Sequence, residues 1–166
     1  MFQNTAFDWL QKELKTLTIS TRSEKFDRAL NNGITTGAIT EICGFSGSGK
    51  TQLCLQLAVN TTIPKPLGID GDVVYISSRR NFFQKRLIEI CKPCVARSFK
   101  QNSIKSGYNT DSIMKRIHCN TINNVEELIA AVTMTKELIK KHTNVSNNSC
   151  LSNPPHLTSL ILFRSG

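Results

Sequence analysis

Eight consecutive residues carry chemistry that depends on their spacing: Gly44-Phe45-Ser46-Gly47-Ser48-Gly49-Lys50-Thr51. They satisfy the pattern G-x-x-x-x-G-K-[ST], in which each fixed position has a physical duty. The glycines let successive backbone N–H groups converge and form a nest for an anion. A helix that follows adds its unpaired N-terminal donors and the positive end of its dipole. Lys50 is long enough to reach the β- and γ-phosphates of a nucleotide, and the Thr51 hydroxyl is placed to bind Mg²⁺. At average residue frequencies the four fixed positions arise by chance in such a chain on the order of once in a hundred. A phosphate site is therefore preferred to an accidental glycine turn.

Such a loop works only between a strand that delivers it and a helix that receives it. Ile39-Thr40-Glu41-Ile42-Cys43 is short and largely β-prone, which predicts a buried strand. Thr51 to Asn60 predicts the helix. Upstream, Phe7, Leu10, Leu14 and Leu17 are spaced like one helix face over residues 5–17, with Thr5 as cap; packing against the body of the domain is expected, with a partner-protein contact as the alternative. Thr16 to Thr21 is threonine-rich and predicts extended chain. A short helix over 23–30 ends at Asn31-Asn32-Gly33, residues suited to a helix C-terminus. Downstream, a Pro/Gly-rich loop over 63–71 precedes a strand at Val73–Ile76 and a helix over 82–91. Residues 95–114 are polar, basic and poorly periodic. A third strand is expected at 117–119, and a long helix runs from an Asn123 or Asn124 cap to Lys141, with Leu128, Val132, Leu138 and Ile139 inward. A Ser/Asn/Pro linker and a last strand at 159–163 complete the chain. Strands alternating with helices specify an α/β fold with a mainly parallel sheet. The expected organisation is an N-terminal helix and linker over 1–22 and a core over 23–166, with a polar linker at 142–157 inside it.

The chain has 166 residues, one domain's worth. Its longest apolar runs are far short of a membrane span. Its first twenty residues mix Asp8, Lys12, Glu13 and Lys15 among apolar positions, unlike a signal peptide. No membrane association and a nuclear or cytosolic location are expected. In a reducing compartment the six cysteines are not expected to form disulfides. Cys91-Lys92-Pro93-Cys94 has no second pair at zinc-site spacing, so buried thiols are the preferred reading. His118 stands alone and is taken as structural. Net charge is +9, and residues 79–116 hold ten basic residues against two acidic ones. That region suits either a solvated surface or a face for nucleic-acid phosphates.

Thr40 to Val59, TEICGFSGSGKTQLCLQLAV, resembles the RecA-type recombinases of eukaryotes, most of all their paralogues in double-strand-break repair and, among those, the branch lettered C. The match extends through Thr5-Ala6-Phe7, Phe26-Asp27, Gly33-Ile34, Val74-Tyr75-Ile76 and Arg86-Leu87, and is looser over 115–163. The resemblance implies a RecA-like P-loop NTPase core that binds ATP with Mg²⁺. Gly44, Phe45, Ser46, Gly47, Ser48, Gly49, Lys50, Thr51 and Gln52 would hold ATP, with Thr51 on the metal. It also implies hetero-oligomers with other recombinase paralogues, single-stranded DNA met through the complex, a nuclear location, and roles in mitotic and meiotic recombination.

Three departures from the family pattern shape the expected activity. Arg79 stands where a glutamate should polarise water, and a guanidinium cannot act as a general base. Arg164 stands where an aspartate should help hold Mg²⁺. The core also stops at Gly166, short of the family's later half, and is expected to be incomplete. No catalytic residue is assigned, and hydrolysis is expected to be weak or absent. Two other readings remain open: a small P-loop nucleotide or metabolite kinase, whose lid the basic 79–116 region could supply, and a non-catalytic interaction module.

Overall fold

A computed structural model describes residues 5–14, 16–78, 84–100, 108–146 and 156–163. The elements in chain order are α1 (Ala6–Leu14), β1 (Thr18–Ile19), α2 (Glu24–Ala29), β2 (Ile34–Thr35), α3 (Lys50–Thr62), β3 (Gly71–Ser77), α4 (Gln84–Lys100), α5 (Thr110–Lys115), β4 (Ile117–Thr121), α6 (Val125–Ser146) and β5 (His156–Phe163). None of the described helices is long and apolar enough to cross a membrane.

The centre is a parallel sheet in the order β4-β3-β5, with β3 buried at every position. Side chains alternate across a strand, and β3 uses both faces. Val73 and Tyr75 pack with Leu55 and Val59 of α3, Ile63 just past its end, Leu87, Ile90 and Cys91 of α4, and Ile113 of α5. Val74 and Ile76 pack on the opposite face with Ala131 and Leu128 of α6. The result is helix, sheet, helix, the layered α/β arrangement expected from the sequence.

A small antiparallel pair, Thr18↔Thr35 and Ile19↔Ile34, sits beside this body. Ile19 joins Leu57 and Ile69 in a separate cluster, which fixes the chain before the loop against the rear of α3. Asn31, Asn32 and Gly33 all take positive φ, so α2 ends as its residue types predict. Thr5 caps α1: its hydroxyl oxygen accepts from the Asp8 N–H at 3.2 Å, and the Asp8 carboxylate accepts from the Thr5 N–H at 2.8 Å.

Four expectations need correction. No strand forms at 39–43, because a strand needs a ladder partner and neither described sheet pairs with this segment. Ile39 is fully exposed, and only Ile42 of the five is partly buried against the core. Second, α1 does not bury its apolar face: Phe7 is 65% exposed, Leu10 50% and Leu14 70%. Third, α4 does not stop near Cys91 but continues through Pro93 to Lys100. Proline removes one helical hydrogen bond, yet Cys94 and Ser98 beyond it are buried and the Ser98 hydroxyl donates to the Cys94 carbonyl at 2.8 Å. Packing outweighs the interruption. Fourth, Val132 on α6 faces solvent, whereas Leu128 packs inward as expected; the side chains of Leu138 and Ile139 lie outside the described residues.

Candidate phosphate site

Gly44 to Gly49 forms an exposed loop that ends on the first turn of α3. Gly47 has φ +79° and Gly49 φ +90°, a region that glycine enters without steric cost. Gly44 is closely approached: a Cβ there would lie 2.8 Å from the Ser48 hydroxyl oxygen, which would have to turn away. The Ser48 N–H closes the loop's internal turn on the Phe45 carbonyl at 3.2 Å. Alternating glycines of this kind turn backbone N–H groups toward one side of the chain.

α3 supplies the second half of the site. Its N-cap is Gly49, which offers no side-chain hydrogen bond, and its first turn holds no acidic residue. The free N–H groups of the first turn and the positive dipole end are therefore unneutralised by the chain itself. Behind that turn, Cys54, Leu55 and Leu57–Thr62 are buried, so the donors stand on a fixed support.

The Lys50 ammonium lies inside this geometry, donating to the carbonyl oxygens of Gly44 at 2.7 Å and Phe45 at 2.8 Å. It thus folds back over the loop it terminates. Gln52, one residue past Thr51, accepts from the Arg86 Nε at 2.7 Å, and Arg86 also pairs with Glu89 at 2.8 Å. This link between the start of α3 and α4 joins residues 34 apart in sequence. No local spacing signals it. A nest, an uncapped helix start, a lysine and a hydroxyl on one turn fit a polyphosphate with a divalent cation.

The two arginines at 79 and 164, on which the expectation of weak hydrolysis rests, lie outside the described residues. The thiols of Cys43, beside the loop, and of Cys91, in the core, are poor nucleophiles. A hydrogen bond to Glu41, with that residue's charge, pushes the Cys43 thiol up, and burial pushes Cys91 up to about 12. Cys94 is buried on the same helix and accepts from the Gln56 amide at 3.5 Å. Among the described residues no group of three His, Cys, Asp or Glu side chains could hold a metal ion.

The basic region divides by location. Arg116 is structural: its guanidinium donates to Asp72 and Asp70 carboxylates at 2.6 Å each and to the Asp70 carbonyl at 2.7 Å. Lys85, Lys92 and Arg97 face solvent on α4. His118 is exposed on β4. A groove of about 400 Å³ opens beside it, lined by Val74, Cys119, Asn120, Ala131, Met134 and Thr135 among others. β4 is an outer strand of the described sheet, and this groove lies between its face and α6.

Comparison with known proteins matches the Rad51 family over residues 12–144. The chain is also 28% identical over 151 residues to DNA repair protein RAD51 homolog 3 of Cricetulus griseus, a match covering 85% of this chain and 41% of the relative. The chain thus spans about two fifths of that relative's length. With the phosphate loop running into the first turn of α3, and the family match covering most of the chain, the protein belongs to the Rad51 family, with its RecA-like P-loop NTPase fold.

Proposed function

We propose that the protein is an ATP-binding recombinase paralogue of homologous recombination and DNA double-strand-break repair, mitotic and meiotic, whose nucleotide acts as a switch for assembly. The observation that carries this is the uncapped start of α3 behind a loop with positive-φ glycines at 47 and 49. Backbone N–H groups of Gly44–Gly49 and the first turn of α3 would hold the phosphates. Lys50 would exchange its two loop carbonyls for the β- and γ-oxygens. The Thr51 hydroxyl would bind Mg²⁺, and Gln52, held by Arg86, would border the site. The metal, when bound, supplies charge neutralisation between phosphate oxygens. With Arg79 and Arg164 in the sequence where acids belong, hydrolysis is weak or absent.

The assembly part of the proposal is supported by uncovered surface. The apolar face of α1 is exposed, and the outer strand β4 and the groove beside it are open to a partner. Other recombinase paralogues are the proposed partners in a nuclear hetero-oligomer, and single-stranded DNA is met through that complex.

Titration of the purified chain with Mg-ATP in a calorimeter tests the site. Binding is expected for the parent protein and loss of binding for Lys50→Ala, with ATP turnover near background when single-stranded DNA is added. Vigorous turnover would overturn the switch reading. DNA-independent phosphorylation of a small acceptor would favour a kinase instead. Unchanged ATP binding and unchanged repair in Lys50→Ala would leave only an interaction module.

A further inference from the structure

α3 and α4 begin side by side. Gln52 stands on the first turn of α3 and Arg86 on the first turn of α4, and the Arg86 Nε donates to the Gln52 side-chain oxygen at 2.7 Å. Leu55, Ala58 and Val59 of one helix share a core cluster with Leu87, Ile90 and Cys91 of the other. Full burial starts only beyond each first turn. Residues 50–53 all keep exposed surface before buried Cys54, and Gln84, Lys85 and Arg86 are exposed before buried Leu87. Helix ends with few buried contacts open most readily. The Arg86–Gln52 bond ties two such ends together.

The charge at these ends is unbalanced. Neither first turn holds an acidic residue, so the free N–H groups of both helices leave partial positive charge close together. Lys50 and Arg86 add full charges there. Glu89, one turn into α4, answers them in part and accepts from the Arg86 Nη1 at 2.8 Å. With Nε on Gln52 and Nη1 on Glu89, the guanidinium is held at two points. An anion on the loop relieves the repulsion between the two ends and favours their contact.

We propose that Arg86 is a positioning residue of the phosphate site. Through Gln52 it holds the first turn of α3 in the form that receives phosphates, and through the same bond an occupied site steadies the start of α4. The proposal rests on the ATP-binding reading above and adds to it a residue outside the glycine motif. Apparent affinity falls when only a fraction of molecules has the competent turn, and a side-chain tie raises that fraction. Linkage makes the effect mutual: whatever factor the Arg86 contact adds to nucleotide affinity, nucleotide adds to the stability of the contact.

Calorimetric titration of the full chain with Mg-ATP, together with hydrogen exchange read on α4, tests it. Arg86→Ala should weaken Mg-ATP binding about fivefold, the worth of one hydrogen bond. The Gln52→Ala/Arg86→Ala double variant should bind like Gln52→Ala, because both changes remove the same contact. Arg86→Lys should do no better than Arg86→Ala, since an ammonium keeps the charge but lacks the planar fork that serves Gln52 and Glu89 at once. Lys92→Ala, exposed on the same helix, should bind as the parent does. Amides of residues 88–90 bond to carbonyls in the first turn of α4. Saturating Mg-ATP should slow their exchange about fivefold in the parent and leave it unchanged in Arg86→Ala. The urea midpoint of Arg86→Ala should match that of the parent, because the pair is exposed. A parent that binds Mg-ATP while Arg86→Ala binds equally well would overturn the proposal and leave the ATP site standing. Full affinity in Arg86→Lys, additive losses in the double variant, or unchanged exchange at 88–90 in the parent would each do the same. A parent that binds no Mg-ATP would overturn the ATP reading and this proposal with it.

Discussion

The two sides of the phosphate loop are built differently. On the C-terminal side, α3 is buried from Cys54 to Thr62 apart from Gln56, wedged between β3, α4 and the Ile19 cluster. On the N-terminal side, the last firm attachment is Thr36, whose N–H donates to the Leu17 carbonyl and whose hydroxyl accepts from the Leu17 N–H. Between Thr36 and the helix the chain is exposed except at Ile42. One side of the site is a fixed platform, and the other is chain that the core does not constrain. Segments with few buried contacts and solvated backbone occupy the low-stability end of a fold. Under the proposed switch, an anion would draw Lys50 off the Gly44 and Phe45 carbonyls and reshape residues 37–49 without disturbing the core.

Truncation on each side of the loop gives the largest contrast. Leu55 is 1% exposed on α3, and Leu55→Ala should cost about 2–5 kcal/mol in urea unfolding. Phe45 is 92% exposed, and Phe45→Ala should stay within about 0.5 kcal/mol of the parent. Equal costs would break the comparison.

A smaller effect is expected where the rear of α3 is tied to the sheet. Arg116 joins the Thr62 carbonyl to Asp70 and Asp72, the last of which keeps only 10% of its side-chain surface exposed. Arg116→Ala leaves that carboxylate without its partner and should cost about 2 kcal/mol, less than a fully buried pair because the arginine itself is 24% exposed. Arg116→Lys should recover little, since a lysine cannot span both carboxylates with a planar fork.

The smallest effect concerns the attachment of the chain before the loop. Burial opposes ionisation of Asp27, but hydrogen bonds from the Ser20 and Thr21 hydroxyls and the Thr21 N–H outweigh it and hold its carboxyl below the ordinary 3.8. Ser20 is in turn bound through its carbonyl by the Asn60 amide of α3 at 2.7 Å. A carboxyl whose pKa is depressed by folding adds stability above its unfolded value and loses it as pH falls through the folded one. Asp27→Asn should therefore differ most from the parent above about pH 4 and converge with it in stronger acid, as read by denaturant midpoints across pH. A gap that widens in acid would contradict this wiring.

What could be read from the chain follows the same division. The loop, α3 and β3 were legible because their signals are local: glycine spacing, a helical run and a compact β-prone stretch. The segment 39–43 has strand-forming residues, but pairing is a property of neighbours, and the sequence does not display whether a partner lies alongside. The apolar spacing of α1 predicts a helix correctly and says nothing about what covers it. Pro93 suggests a boundary, yet the burial of Cys94 and Ser98 carries α4 past it. The Arg116 bridges and the Arg86–Gln52 contact join residues distant in sequence, so charge counting could only place both arginines in one basic region.

Hydrogen exchange on the full chain with and without Mg-ATP tests the switch most directly. Amides of residues 44–52 should exchange at least about tenfold more slowly with nucleotide, while those of 54–62, already held by the core, should change little. Lys50→Ala should show no such protection. Protection spread evenly over α3, or equal protection in Lys50→Ala, would contradict a loop that closes on nucleotide against a rigid support.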